Sequence, residues 1–257
     1  MRPVTLITGA SSGIGAALAH VFAAHGHDLV LIARRELKLD MLADEIAARG
    51  RPRPAILQAD LERPAEVARI GEALHMQGLE PDIVVNNAGA GLFGDAGSLD
   101  RDKQLALIDL NVRALTELSL AFVDALARHR GGMLNVASVA AFLPGPGMAV
   151  YYASKAYVLS FSEALHRELA PRGVRVTALC PGPVPTEFQA RAGMPARHSL
   201  LTCSAAEVAQ AGYRGLMAGR RVVVPGLANK MAVMLLRHLP RGPVLAVTDR
   251  HMRRRVR

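Results

Sequence analysis

The stretch Val4-Thr5-Leu6-Ile7-Thr8-Gly9-Ala10-Ser11-Ser12-Gly13-Ile14-Gly15 decides the fold. Val4–Thr8 is a short apolar, β-branched run, which predicts a buried strand. Glycines at 9, 13 and 15 follow at once. They let the backbone turn sharply, approach a pyrophosphate closely and seat the next helix against the sheet. That helix turns its free N–H groups and positive dipole end toward the same place, where an anion is held. A glycine turn alone is also a plain structural turn. Its position between a strand and a helix is what points to a dinucleotide.

Working outward, further strands are expected at Leu29–Ala33, Ala55–Ala59, Ile83–Asn86, Met133–Ser138, Val174–Leu179 and Arg221–Val224. Leu39, Leu42 and Ile46 repeat at helical spacing with Gly50 as a stop, and Val67, Ile70 and Leu74 do so behind Pro64, which suits a first helical turn. Ser204 with Glu207 is a capping-box signature. Strands alternating with helices predict one α/β domain, a doubly wound Rossmann fold. Right-handed crossovers give its seven-stranded parallel sheet the order 3-2-1-4-5-6-7, with helices on both faces. Residues 1–225 form its body, and 226–257 a helical extension of the same domain. Ligands bind beyond the carboxyl ends of such strands, so Pro144–Gly147 and 187–203 are candidate substrate loops.

Composition agrees. Of 257 residues 51% are apolar and 21% charged, enough for a sizeable core. Cys180 and Cys203 have no metal-like spacing and read as reduced thiols in a cytoplasmic protein, so no metal is expected. No secretory leader precedes the first strand, and no apolar run is long enough to span a bilayer. Part of the net charge of +9 sits in Arg250, Arg253, Arg254, Arg255 and Arg257. A solvated tail is the first reading, with an anionic membrane surface behind it. No aromatic residue interleaves these arginines, which argues against nucleic acid.

The second strand ends Leu31-Ile32-Ala33-Arg34-Arg35. An NAD site places an acid here for the ribose 2′-hydroxyl, and an acid repels a 2′-phosphate. Alanine followed by two arginines instead suits NADP(H), because a guanidinium binds phosphate through paired hydrogen bonds.

The turn TGASSGIG, the run Asn86-Asn87-Ala88-Gly89, Asn111, Ser138, Tyr151-Tyr152-Ala153-Ser154-Lys155 and Pro181-Gly182 occur in this order. Together they resemble the short-chain dehydrogenase/reductases, most closely the bacterial DltE-like branch, over about residues 1–225. The resemblance implies a catalytic tetrad of Asn111, Ser138, Tyr151 and Lys155. It implies cofactor contacts from Gly9, Ser11, Ser12, Gly13, Ile14 and Gly15, from Arg34 and Arg35, and from Asp60 and Leu61 at the adenine. Asn87, Ala88 and Gly89 join them, as do Pro181, Gly182, Val184 and Thr186, with Lys155 on the nicotinamide ribose. Asn86 and Gly89 are expected to brace the adenine side.

The residue types suit that chemistry. Tyr151 and Lys155 are four apart in a helix and share a face. A tyrosine ordinarily titrates near ~10, and a neighbouring ammonium and an oxidised nicotinamide lower that value. Tyr151 then exchanges a proton with a carbonyl or alcohol oxygen that Ser138 orients. Tyr152 is excluded as the catalytic residue because Ala156 stands where its lysine would be. The expectation is an NADP(H)-dependent oxidoreductase, ketone or aldehyde reduction favoured, with a non-catalytic NADP(H)-binding regulator as the alternative. Phe188, Met194, Leu200 and Leu201 hint at an apolar substrate. In the family, the helices around 101–129 and 151–170 pair across a two-fold axis, and Leu115, Leu118, Phe122, Leu159 and Phe161 are candidates for a homodimer or homotetramer contact. Met231, Met234, Leu235 and Leu239 form an apolar stripe, read as core or subunit contact ahead of a lipid anchor.

Overall fold

A computed structural model describes residues 1–194 and 201–256. Leu200 and Arg257 lie outside the described residues, as do the side chains of Arg253, Arg254 and Arg255.

Seven parallel strands build one sheet: β1 (Arg2–Thr8), β2 (Leu29–Ala33), β3 (Ala55–Gln58), β4 (Leu79–Asn86), β5 (Gly132–Val136), β6 (Arg175–Leu179) and β7 (Val222–Val223). Their order is 3-2-1-4-5-6-7. Between them run α1 (Gly13–Ala24), α2 (Glu36–Ala48), α3 (Glu66–Met76), α4 (Arg101–Ile108), α5 (Leu115–Ala121), α6 (Val123–Arg128) and α7 (Ala149–Leu169). After β6 come α8 (Glu187–Arg191) and α9 (Ala205–Met217), and after β7 come α10 (Leu227–His238) and α11 (Arg241–Val256). This is the doubly wound Rossmann fold.

The central strands are buried on both faces, which is why they read as continuous apolar runs. On one face Leu18 and Phe22 of α1 and Val208 of α9 pack against Ile7, Leu31 and Leu134. On the other, Leu74 of α3, Leu118 of α5 and Leu165 of α7 meet Leu6, Ile32 and Val176. The anticipated stops are in place: Gly50 takes φ +74 after α2, and Ser204 and Glu207 close a reciprocal capping box on α9. Pro64 sits in the turn ahead of α3 rather than in its first helical turn.

Two expectations about the surface change. Leu115, Leu118, Phe122 and Leu159 are buried within the single chain, because α5 and α7 pack on each other as well as on the sheet; Phe161 is partly buried with them. The apolar residues these crossovers leave exposed are Leu105, Ile108, Leu120 and Tyr157. Met231, Met234, Leu235 and Leu239 are not core either, being 57%, 58%, 63% and 44% exposed. Among the described residues, no helix is long and apolar enough to cross a membrane.

Candidate active site

The site lies across the carboxyl ends of the strands. The end of β1 is tied to the end of β4: the Thr8 hydroxyl accepts from the backbone N–H of Asn87 and of Ala88, each at 3.0 Å, and Asn87 Nδ2 donates to the Thr8 carbonyl at 2.9 Å. Close approach makes glycine necessary here. A Cβ on Gly15 would fall 2.3 Å from the Gly9 carbonyl oxygen, and one on Gly9 2.8 Å from Asn87 Nδ2. Ser12 is the N-cap of α1 but caps nothing with its side chain, which leaves the first-turn N–H groups for another acceptor.

At one end of the site stand cations. Arg35 donates to Ser11 Oγ and Ser12 Oγ, each at 3.0 Å, and to the Glu187 carboxylate at 2.7 Å. Arg34 pairs with Glu62 at 3.0 Å and lies 3.9 Å from Asp60. Arg191 of α8 donates to Ser12 Oγ at 3.1 Å, and Lys38 of α2 to Glu187 at 2.7 Å. Lys38 and Arg35 together hold the Glu187 carboxyl down at about 2. Lys38, Glu187 and Arg191 were not among the expected site residues. Arg191 lies 156 positions from Arg35 in the chain, and no local pattern announces the meeting.

At the other end Ser138, two residues past β5, caps a single 3-10 turn over Val139–Phe142 by accepting from the Ala140 N–H at 3.1 Å. Its side chain also faces the Tyr151 phenol, whose pKa it lowers. Tyr151 and Lys155 stand one turn apart on α7, with the Lys155 ammonium 5.9 Å from the centre of the Tyr151 ring. Lys155 is buried and donates to the Val136 carbonyl at 2.8 Å. Burial pushes the Tyr151 phenol up to about 12, partly offset by Ser138, and pushes the Lys155 ammonium down to about 8. The expected lowering of the tyrosine by its lysine is therefore not found in the protein on its own, where burial raises it instead.

Asn111 occupies a π-helical turn, Asp109–Ala114, between α4 and α5. Such turns are frequent at functional sites. Its side chain accepts from the Ala90 N–H at 2.9 Å and donates to the Ala90 carbonyl at 3.0 Å and to Ser154 Oγ at 2.9 Å. It stands behind Gly89, where an added Cβ would be 3.2 Å from Asn111 Oδ1 and 3.4 Å from Lys155 Nζ. Gly89 is thus beside the lysine, not the adenine end. Asn86 bonds Ser119 and Asn135 inside the sheet layer, at 3.0 and 2.9 Å, rather than bracing the adenine side.

One cavity of about 490 Å³ joins the two ends, and of the expected tetrad and cofactor-contact residues only Gly15 and Asn111 lie off its wall. Asp60 and Leu61 line it, as do Ala88, Pro181, Gly182, Val184 and Thr186; Thr186 also caps α8. Behind Gly182 sits the buried Asn229 of α10, whose Nδ2 donates to the Leu201 and Pro225 carbonyls at 3.0 Å each. Tyr152 packs on Gly145, where a Cβ would be 2.3 Å from its ring. Leu143, Met148, Phe188 and Met194 form apolar wall. The site offers a dinucleotide uncapped helix N–H groups behind a glycine turn for its phosphates, cations at one end, and a phenol and an ammonium at the other.

Known proteins agree with this geometry. Residues 3–195 match the family model described as short chain dehydrogenase. The chain is 38% identical over 193 residues to sulfoacetaldehyde reductase 2 of Chromohalobacter salexigens, covering 73% of this chain and 75% of that one. Among solved structures it resembles a short-chain dehydrogenase from Sphingobium yanoikuyae in complex with NADPH, at 34% identity and a TM-score of 0.81 over 93% of this chain and 97% of that one. It also resembles a short chain dehydrogenase/reductase from Burkholderia phymatum in complex with NAD, at 26% identity and a TM-score of 0.81 over 91% and 92%. With a sheet ordered 3-2-1-4-5-6-7 and a nucleotide-binding cavity along its carboxyl edge, this chain belongs to the short-chain dehydrogenase/reductase family of oxidoreductases.

Proposed function

We propose that the chain is an NADP(H)-dependent reductase of ketones or aldehydes in which Tyr151 is the proton donor. The observation that supports this best is the Tyr151 phenol, facing Ser138 and one turn from the buried Lys155, in the same cavity as Arg34 and Arg35. The dihydronicotinamide supplies the hydride when bound. Burial keeps the phenol neutral at ordinary pH, so Tyr151 holds its proton until negative charge grows on a carbonyl oxygen and then donates it. Ser138 shares that oxygen and orients it. Lys155 would hold the nicotinamide ribose, and its ammonium favours the phenolate that remains. Asn111 acts through Ser154, which it bonds beside Lys155 on the same helix.

The relatives bind either NADPH or NAD. Preference for the phosphorylated form here rests on Ala33 in place of an acid, followed by Arg34 and Arg35. Leu143, Met148, Phe188 and Met194 suit an apolar carbonyl compound. The test has two parts. NADPH oxidation is followed with ketones and aldehydes spanning steroids, acyl thioesters, sugars and quinones, and NADPH and NADH are titrated against the protein with Arg34→Ala and Arg35→Ala. Loss of a charge-assisted bond, worth about 1.5–3 kcal/mol, weakens NADPH roughly 10- to 100-fold and leaves NADH nearly unchanged. Equal affinity of the unaltered protein for both cofactors overturns the assignment.

A further inference from the structure

Glu187 sits in the middle of the cations beside the phosphate turn. One carboxylate oxygen accepts from Arg35 at 2.7 Å and the other from Lys38 at 2.7 Å, while Arg191 approaches at 3.7 Å. Every nitrogen of the Arg35 guanidinium is engaged. Nε and one terminal nitrogen face Ser11 and Ser12 of the glycine turn, and the other terminal nitrogen faces Glu187. The cations beside the phosphate turn are thus held together by an anion that the chain supplies from the far side of the cavity. Asp60 and Glu62 also lie near these cations but follow β3 and pair with Arg34. Glu187 alone comes from α8, at the start of the segment that carries Phe188 and Met194 to the cavity wall.

Resting on the NADP(H) reading above, we propose that Glu187 is an internal competitor for the 2′-phosphate subsite. Its carboxylate takes the Arg35 and Lys38 donors that a 2′-phosphate uses. A phosphorylated cofactor therefore displaces Glu187 from them, and Glu187 tempers the preference that Arg34, Arg35 and Arg191 create. A dianionic phosphate and a carboxylate cannot share these donors without repulsion. The deep fall in the Glu187 pKa, caused by Lys38 and Arg35, is consistent with an anion already fixed in the subsite.

Glu187→Gln keeps the size of a side chain that is 42% exposed and removes only its charge. The unaltered protein and this variant are titrated by calorimetry with NADPH, NADH, adenosine 2′,5′-bisphosphate and adenosine 5′-monophosphate. The expected result is about two- to tenfold tighter binding of NADPH and the bisphosphate by Glu187→Gln, with NADH and the monophosphate unchanged. A change of that size is in keeping with partly exposed ion pairs. Unchanged or weaker bisphosphate binding by the variant, while the unaltered protein still prefers bisphosphate to monophosphate, overturns the proposal and leaves the NADP(H) reading standing. Equal binding of the two nucleotides by the unaltered protein overturns that reading, and the competitor with it. Equal tightening of all four ligands means a general effect of charge and also overturns the proposal.

Discussion

Asn111 donates to the Ser154 hydroxyl at 2.9 Å, and that hydroxyl donates on to the Tyr151 carbonyl at 2.7 Å. The π-helical turn is thereby coupled to the helix carrying Tyr151 and Lys155, the first three residues before the shared serine and the second directly after it. Both side chains are buried, so neither group has water as a substitute partner. Ser154→Ala strands one Asn111 N–H, at a cost of about 1–3 kcal/mol. The melting temperature should fall by about 2–10 °C for a domain of this size, measured by calorimetry. Turnover should fall with it if the link also sets the position of Tyr151; an unchanged melting temperature removes the link from the account.

How far the sequence was legible depended on how local each feature is. The phosphate turn, the strand runs and the Tyr-x-x-x-Lys spacing are written in consecutive residues, and they emerged in the expected places. The meeting of Arg35 with Glu187 and Arg191 is written nowhere locally, because it depends on the crossover after β6 bringing α8 to the end of β2. Leu115 and Leu159 misled for a related reason. A helix in sequence shows how wide its apolar face is, but not how many neighbours will share it. The direction of the Tyr151 shift was hidden too: a lysine four residues away is visible in sequence, whereas burial is not.

Lys155 should weaken the fold it serves. Its pKa is about 8 in the folded protein and 10.5 in the ordinary state, so the buried ammonium is penalised at neutral pH, by up to about 3 kcal/mol. The sign follows from proton counting. Between pH 8 and 10.5 the unfolded chain binds more protons at this site, so its contribution to stability rises with pH there and is flat below 8. Lys155→Met removes the charge and keeps much of the volume. It should abolish most turnover and yet melt no lower than the unaltered protein at pH 7, with any gain shrinking above pH 8. Chemical denaturation at pH 7 and pH 9.5 checks it; a variant equally destabilised at both values contradicts the burial penalty.

Self-association should use the exposed apolar residues of the crossover helices. Leu120 lies one turn beyond Thr116, whose hydroxyl is bonded to Tyr157 at 2.9 Å, so α5 and α7 present Leu120 and Tyr157 on one side. The chain is expected to be a dimer or tetramer at micromolar concentration by light scattering. Leu120→Asp should shift it toward monomer without lowering secondary structure. A monomeric unaltered protein ends this prediction.

Tyr151→Phe is the sharpest test of the proposed chemistry. It deletes one oxygen, the one facing Ser138, and keeps the ring that packs 5.5 Å from Phe188. Folding and NADP(H) binding should therefore be almost intact. Turnover should drop by the ~10²–10⁴-fold typical of losing a positioned acid or base. Tyr152→Phe is the internal control: its ring lies 6.0 Å from that of Tyr151 and against Gly145, and turnover should change little. The pH profile adds an independent check. With the phenol pushed up to about 12 in the protein on its own, carbonyl reduction has its proton donor throughout pH 6–8, whereas alcohol oxidation needs the phenolate and should rise with pH over the same range. Steady-state rates in both directions, with whichever substrate the panel yields, decide the matter. Near-normal turnover in Tyr151→Phe removes this tyrosine from proton transfer, and loss confined to Tyr152→Phe moves the role to its neighbour.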